Sequence, residues 1–299
     1  VGHPDGEASA GRDMTEVHMK MALRALLASA AALLAPLAGA ADGIAFITNL
    51  RGEVAVDGAA RPLLMSELGK GQKITIGKDS QLAVMYIQSG KEYLLKAPGD
   101  YTVGEREVTA AHGMPPPARE TPWRASSQVL VKVAQSSSAS IRMRSLAPPP
   151  KAEPKPALEF PVRGAVTLLQ PTLRWAVPES KGPAEITLAI AGREDKPLAR
   201  AKVAGTSHRF PVKLQPDTEY AWKVSVAGQE VGTARFRTLP AAAIQEAEKK
   251  RPAEKADFTD RLMHALLLQD IGASQEAQEA WAKLALERTD LPELASLAR

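Results

Sequence analysis

Five histidines and no cysteine limit the chemistry open to this 299-residue chain. His112, His208 and His264 lie in separate segments, and no pair has the H-x-x-x-H spacing that sets two imidazoles on one helix face to hold a metal. Gly205-Thr206-Ser207-His208 puts a hydroxyl beside an imidazole, but neighbours on a strand point to opposite faces, so the pair reads as structural. No Gly-x-Ser-x-Gly sequence is present to raise a nucleophile on a sharp turn. Gly69-Lys70-Gly71-Gln72 and Gly77-Lys78-Asp79 have the residue types of a phosphate loop. Their spacing fails, no Ser or Thr directly follows Lys78, and no helical pattern comes next, so these are turn glycines. Arg142 and Arg144 share one strand face and could meet an anion, although a solvated face is the plainer reading. The chain is expected to be non-enzymatic, with no catalytic residue, no cofactor and no metal.

What must position any site is set first by where the chain goes. Lys20 and Arg24 form a short basic start, Ala25 to Leu37 is apolar apart from Ser29 and Pro36, and Ala38-Gly39-Ala40 supplies small residues for a peptidase. That layout predicts a secretory signal over residues 19–40, cut between Ala40 and Ala41, rather than a spanning helix of roughly 20 apolar residues. Residues 1–18 are polar and open on Val, which suggests a start site placed too far upstream, with Met19 as the true first residue. With no cysteine after the cut, lipid attachment is not expected. Disulfides are excluded, so packing must hold the exported domains.

From Ala41 to Arg299 the chain has 35 Lys and Arg against 30 Asp and Glu, a net charge of +5. That excess is too dilute for nucleic acid, which needs a concentrated patch, but it suits an anionic envelope surface. No later segment is long and apolar enough to span a membrane. The 23 prolines cluster between periodic segments and divide the chain into modules.

The first module is expected over residues 41–146. Ile44 to Thr48, Gly52 to Val56, Gln72 to Ile76, Glu92 to Leu95, Tyr101 to Val103 and Glu107 to Thr109 are strand-like. Turn signals such as Asp57-Gly58 separate them. Leu82 to Ile87 is apolar on both faces, which predicts a buried central strand. Two further strands are read at Ser127 to Ala134 and Ser140 to Arg144. Arg51-Gly52-Glu53-Val54, Leu68 to Ile74, Gly77 to Val84 and Ser89 to Leu95 together resemble the periplasmic FecR-like domain. That resemblance implies glycine-flanked β-structure of short strands. In the family it goes with signal transduction or, in free-standing exported members, with attached binding modules.

Residues 147–157 are proline-rich and predict a semi-rigid spacer of about 3.1 Å per residue between two independently folding units. A second β module follows at 158–239. Leu173 and Trp175 share one face, and Ile186, Leu188 and Ile190 alternate with Glu185, Thr187 and Ala189. Leu214-Gln215-Pro216-Asp217-Thr218-Glu219-Tyr220-Ala221-Trp222 resembles the fibronectin type III pattern, in which a tyrosine hydroxyl bonds back to the backbone at the corner before a long strand. Trp175, Leu214, Tyr220 and Trp222 are then core residues.

Residues 240–299 are expected to be helical. Asp257, Ser274 and the Asp290 to Glu293 capping box are the helix starts, and Gly272 is a stop. Leu268, Gly272, Ala277 and Trp281 have spacings that resemble one tetratricopeptide helix pair. This predicts a helical hairpin docked on the sandwich, or the start of an interface, with Trp281 as its packing anchor. The whole reads as a mainly β protein with a helical tail, exported to the periplasm and binding an envelope protein or a cell-wall glycan. The alternative is a periplasmic sensor signalling to a separate membrane partner.

Overall fold

Consecutive buried residues on one strand need cover on both faces, and that requirement organises this protein. A computed structural model describes residues 2, 43–123, 157–176 and 182–298. The signal segment with Ala38, Ala40 and Ala41, the strands read within 127–144 with Arg142 and Arg144, and nearly all of the proline-rich spacer lie outside the described residues. No described helix is long and apolar enough to cross a membrane.

The chain is mainly β, with several antiparallel sheets and a C-terminal helical region. The first ten strands are β1 (Ala45–Arg51), β2 (Val54–Val56), β3 (Ala59–Ala60), β4 (Glu67–Leu68), β5 (Lys73–Ile76), β6 (Gln81–Tyr86), β7 (Lys91–Leu95), β8 (Gly99–Val103), β9 (Val108–Ala110) and β10 (Ala118–Glu120). They form two five-stranded sheets ordered β10-β7-β6-β1-β4 and β3-β2-β5-β8-β9. Asp57 and Gly58 both take positive φ and close the β2–β3 hairpin, as a twist-matched two-residue turn requires. The Asp57 carboxylate then accepts the Lys73 amide at 2.9 Å and the Gln72 side chain at 2.8 Å, so one turn residue also fixes the start of β5. Gly52 has φ +74°, and a Cβ there would lie 2.3 Å from Ser80 Oγ. Glycine is what lets Ser80 reach the Glu53 amide at 2.8 Å.

Among the described residues after the spacer, eight strands follow. They are β11 (Leu158–Phe160), β12 (Ala165–Val166), β13 (Thr172–Trp175), β14 (Ala184–Ile190), β15 (Ala199–Val203), β16 (Ser207–Arg209), β17 (Glu219–Val226) and β18 (Gln229–Thr238). They make a three-stranded sheet, β11-β13-β16, and a five-stranded sheet, β12-β18-β17-β14-β15. A single apolar cluster fills this module and contains Trp175, Leu214, Tyr220 and Trp222. Tyr220 Oη accepts the Gln215 amide at 2.8 Å, and Trp222 donates its indole N–H to the Pro161 carbonyl at 2.6 Å. Tyr220→Phe leaves the Gln215 amide without its acceptor and should cost about 1–2 kcal/mol. Urea unfolding followed through this module will show it; an unchanged midpoint would mean that the corner bond contributes nothing.

Among the described residues four helices follow: α1 (Ala241–Lys249), α2 (Phe258–Asp270), α3 (Ser274–Glu287) and α4 (Pro292–Leu297). Gly272, at φ +84°, ends α2, where the Ala273 amide reaches the Leu268 carbonyl at 2.8 Å and satisfies an orphan acceptor. The helix starts differ from the caps read in the sequence. Asp257 stands at the N-cap of α2 without a side-chain cap bond, Ala273 rather than Ser274 precedes α3, and Leu291 precedes α4. The capping box fails for a physical reason: Asp290 is engaged by Arg288, and Glu293 reaches across to the Leu64 amide at 3.3 Å.

The placement of the helices is the main correction. They do not simply dock on the second β module. Their apolar residues, Trp281 among them, form one cluster with Phe46, Ile47, Leu82, Val84 and the rest of the first module. α2 lies against β1, which explains why Ala45, Phe46 and Ile47 in a row are all buried. Leu82 to Tyr86 are also buried in a row, in the cluster that the helices share. α2 itself is buried nearly all round, as a helix packed on several sides must be. Residues 43–299 form one compact unit.

Candidate binding cleft between the second β module and the helices

Two polar latches fix the helices on the first module. Arg288 is 1% exposed. It donates to the Leu50 carbonyl and to Asn49 Oδ1, each at 2.5 Å, and its Cζ lies 5.0 Å from the Phe258 ring centroid. Asp290 accepts two further bonds from it, at 2.8 and 2.7 Å, and these hold the Asp290 carboxyl below the usual aspartate pKa. The second latch centres on buried Glu92. Its Oε1 accepts the hydroxyls of Thr48 at 2.7 Å and Thr259 at 2.5 Å, and its Oε2 accepts Arg119 Nε at 2.5 Å. Arg119 also holds Asp260 at 2.9 Å. Burial works against the Arg119 charge, but its bonds to Asp260 and the nearby Glu92 outweigh that and raise its pKa.

On the opposite side, α3 grips the second module. Glu276 accepts the Thr167 amide at 2.8 Å and the Thr167 hydroxyl at 3.0 Å. Gln275 accepts the Val162 amide at 2.9 Å and donates to the Glu159 carbonyl at 2.5 Å. Arg174 on β13 is ion-paired with Glu279.

A cleft of about 530 Å³ opens along this seam. Arg174 of β13, Arg261 and His264 of α2, Lys283 of α3 and Arg251 of the α1–α2 connection line it. Three carboxylates, Glu254, Glu276 and Glu279, also face it. Burial raises the Glu276 pKa against the pull of its Thr167 hydrogen bonds and of Arg251. Arg251 pairs with Glu248 at 2.6 Å and Arg261 with Glu287 at 2.5 Å.

His264 is 7% exposed. One ring nitrogen bonds to the Ala247 backbone, and Nε2 is buried without a partner. Burial, helped by the Arg251 charge, lowers the His264 pKa to about 4, so the ring is neutral at neutral pH. A histidine with a depressed folded pKa contributes fully above its unfolded value near 6.5, and that contribution is lost as pH falls toward about 4. The loss at the lower end is about 2–3 kcal/mol. Glu276, with its raised pKa, acts in the opposite sense and offsets part of this. His264→Phe should therefore flatten the fall in stability between pH 6.5 and 4 in acid-titrated urea melts. A slope identical to wild type would contradict a neutral, buried imidazole.

The other residues singled out in the sequence are spread apart. His112 is exposed beyond β9, and His208 lies on β16 edge-on to Phe210 with ring centroids 4.5 Å apart, while adjacent Ser207 is exposed. Gly71 sits in a turn with φ +86°, where Gln72 Oε1 accepts the Gly69 amide at 2.8 Å. Among the described residues no group of three or more histidines or carboxylates could hold a metal ion. Trp175, Leu214, Tyr220 and Trp222 are buried in the second module, and Trp281 is 1% exposed in the shared cluster with its indole N–H 3.2 Å from Gln269 Oε1. Of the cleft residues the sequence reading weighed His264 alone, as a metal ligand, and passed over Arg174, Arg251, Arg261 and Lys283. The signal of His264 was a lone histidine within an otherwise apolar helix face, a pattern shared by many satisfied core histidines. No protein-family model matches the sequence, and no curated protein matches it.

Proposed function

We propose that this chain is a non-enzymatic envelope protein, exported by the signal over residues 19–40 and acting in the periplasm as a binding or scaffolding body. In this reading the first β module is FecR-like, the second is a fibronectin type III-like sandwich, and the helices clamp the two together. The observation that carries it is the double grip of the helices: Arg288 and the Glu92–Arg119–Asp260 cluster on one side, Gln275 and Glu276 on the other. A body braced in this way can present a fixed surface to a partner without moving parts of its own. The short antiparallel strands with glycine turns support the FecR-like assignment. The Tyr220–Gln215 bond supports the fibronectin type III-like one. The wide separation of His112, His208 and His264 supports a role without catalysis.

The test is fractionation of cells expressing the full chain, followed by sedimentation with purified peptidoglycan and by cross-linking in the periplasm. The expected result is a processed form beginning at Ala41 that sediments with peptidoglycan or cross-links to an envelope protein. A cross-link to a membrane-bound regulator would shift the reading to the sensor. An unprocessed chain in the cytoplasm would overturn it.

A further inference from the structure

Most strands at the rims of the four sheets are too short to take up another chain. β3, β4 and β12 have two residues, and β9, β10, β11 and β16 have three. β15, Ala199–Val203, has five and is the longest edge strand among the described residues. It pairs with β14 in unbroken register from Ala199↔Leu188 to Val203↔Ala184, and no described strand lies on its other side. An edge strand leaves alternate backbone N–H and C=O groups pointing away from its sheet, open to pairing with another chain. Folds blunt such edges with a bulge, a proline, short length or charge. β15 has no bulge against β14, no proline and no shortness, so charge is the device that remains. Arg200 and Lys202 are its exposed residues, while Ala199, Ala201 and Val203 are half-buried against the core of the second module.

Lys202 lies 3.3 Å from Glu185 in an exposed pair, and Arg200 has no ion-pair partner among the described residues. Arg200 stands opposite Thr187, whose other cross-strand neighbour is Lys223. In the turn before β15, Glu194 is held by Arg235 at 3.1 Å, and Asp195 is flanked in sequence by Arg193 and Lys196. The edge is therefore basic. Two copies of β15 side by side would bring like charges together. The stretches 127–134 and 140–144 of this chain carry Lys132, Arg142 and Arg144 and no acid, so they suit it no better. We propose that the free edge of β15 takes up an extended segment of a partner protein, acidic on one face and apolar on the other, as a sixth strand of its sheet. The acids meet Arg200 and Lys202, and the apolar side chains extend the cover over Ala199, Ala201 and Val203. Backbone hydrogen bonds attach the segment, and the alternation of its side chains selects it. The inference rests on the envelope-binding reading for where such a partner is met, and on the edge alone for its chemistry.

The test titrates the chain from Ala41 with an end-blocked peptide of four Glu-Val repeats, and with its Lys-Val counterpart. Saturable binding is expected for the Glu-Val peptide, with slower hydrogen exchange in residues 199–203, and binding about tenfold weaker for the Lys-Val peptide. A Glu-Val peptide with a central valine replaced by proline keeps the charge but breaks the ladder, and should bind about tenfold more weakly. Arg200→Glu, at an exposed position, should weaken the Glu-Val peptide about fivefold or more and strengthen the Lys-Val one. Equal affinity for the two peptides, no saturable binding, or binding that leaves exchange at 199–203 unchanged overturns the edge as a docking strand. So does a dimer of the free chain that protects 199–203, which would assign the edge to a second copy. Periplasmic cross-linking that survives Arg200→Glu would keep the scaffolding function and remove β15 as its site. Peptide binding as expected by a chain that stays unprocessed in the cytoplasm would keep the edge and overturn the envelope reading instead.

Discussion

Replacing Arg288 with methionine should destabilise the protein by about 3–4 kcal/mol, with the loss concentrated in the first β module and the helices. Methionine fills much of the same space but donates nothing. The Leu50 carbonyl and Asn49 Oδ1 then lose their donor in a site that water does not reach freely. Buried acceptors left in that state cost more than an average hydrogen bond contributes, and the loss of the charged donor adds to it. The damage should fall on β1 because Asn49 and Leu50 lie just past its register shift at Ile47/Asn49, where the ladder is interrupted. Asp290→Asn makes a milder control, since Asp290 is half exposed and its partner keeps the Leu50 and Asn49 bonds. Urea unfolding gives the size, and hydrogen exchange over residues 45–51 and 258–270 gives the place. A shift below about 1 kcal/mol would mean that the latch is ornamental to the fold.

Trp281→Ala is the second large effect, about 3–5 kcal/mol, because a fully buried indole leaves a cavity that surrounding helices close only in part. Its location matters as much as its size. Trp281 belongs to the cluster shared by the helices and the first module, and not to the cluster around Trp175 and Trp222. Faster exchange is therefore expected in α2, α3 and β1, with β14 and β17 of the second module little changed. If instead only the helices loosen, the shared core is not cooperative. If nothing loosens and a partner's binding is lost, Trp281 acts as a docking residue.

How much of this was legible in the sequence follows from the range of each interaction. Period-2 alternation in Ile186 and Leu188, the Asp57-Gly58 turn and the Gly272 stop are local signals, and the elements appear where those residues place them. The double-faced apolar run from Leu82 to Tyr86 announced that something must cover both sides of its strand, but a strand cannot say what. The strand shares its apolar cluster with the helices, which begin more than 150 residues away, and the polar groups that fix them were read for local roles. Asp290 and Glu293 look like a capping box because a capping box is a local pattern. Their real partners, Arg288 and the Leu64 amide, are set by the tertiary contact. β4 and β10 are two and three residues long and have no periodicity to read. The cleft was invisible for the same reason, since β13, the α1–α2 connection, α2 and α3 share it and no two of its charged residues form a motif.

The central claim is that the helices make one body of the two β modules. Hydrogen exchange on the chain from Ala41, compared with the same chain ended after Leu239, tests it most directly. Removing the helices should strip protection from β1 and β6, which lose the cover on one face, while β17 and β14 keep most of theirs. Unchanged protection over residues 45–51 and 81–86 in the shortened chain would contradict it.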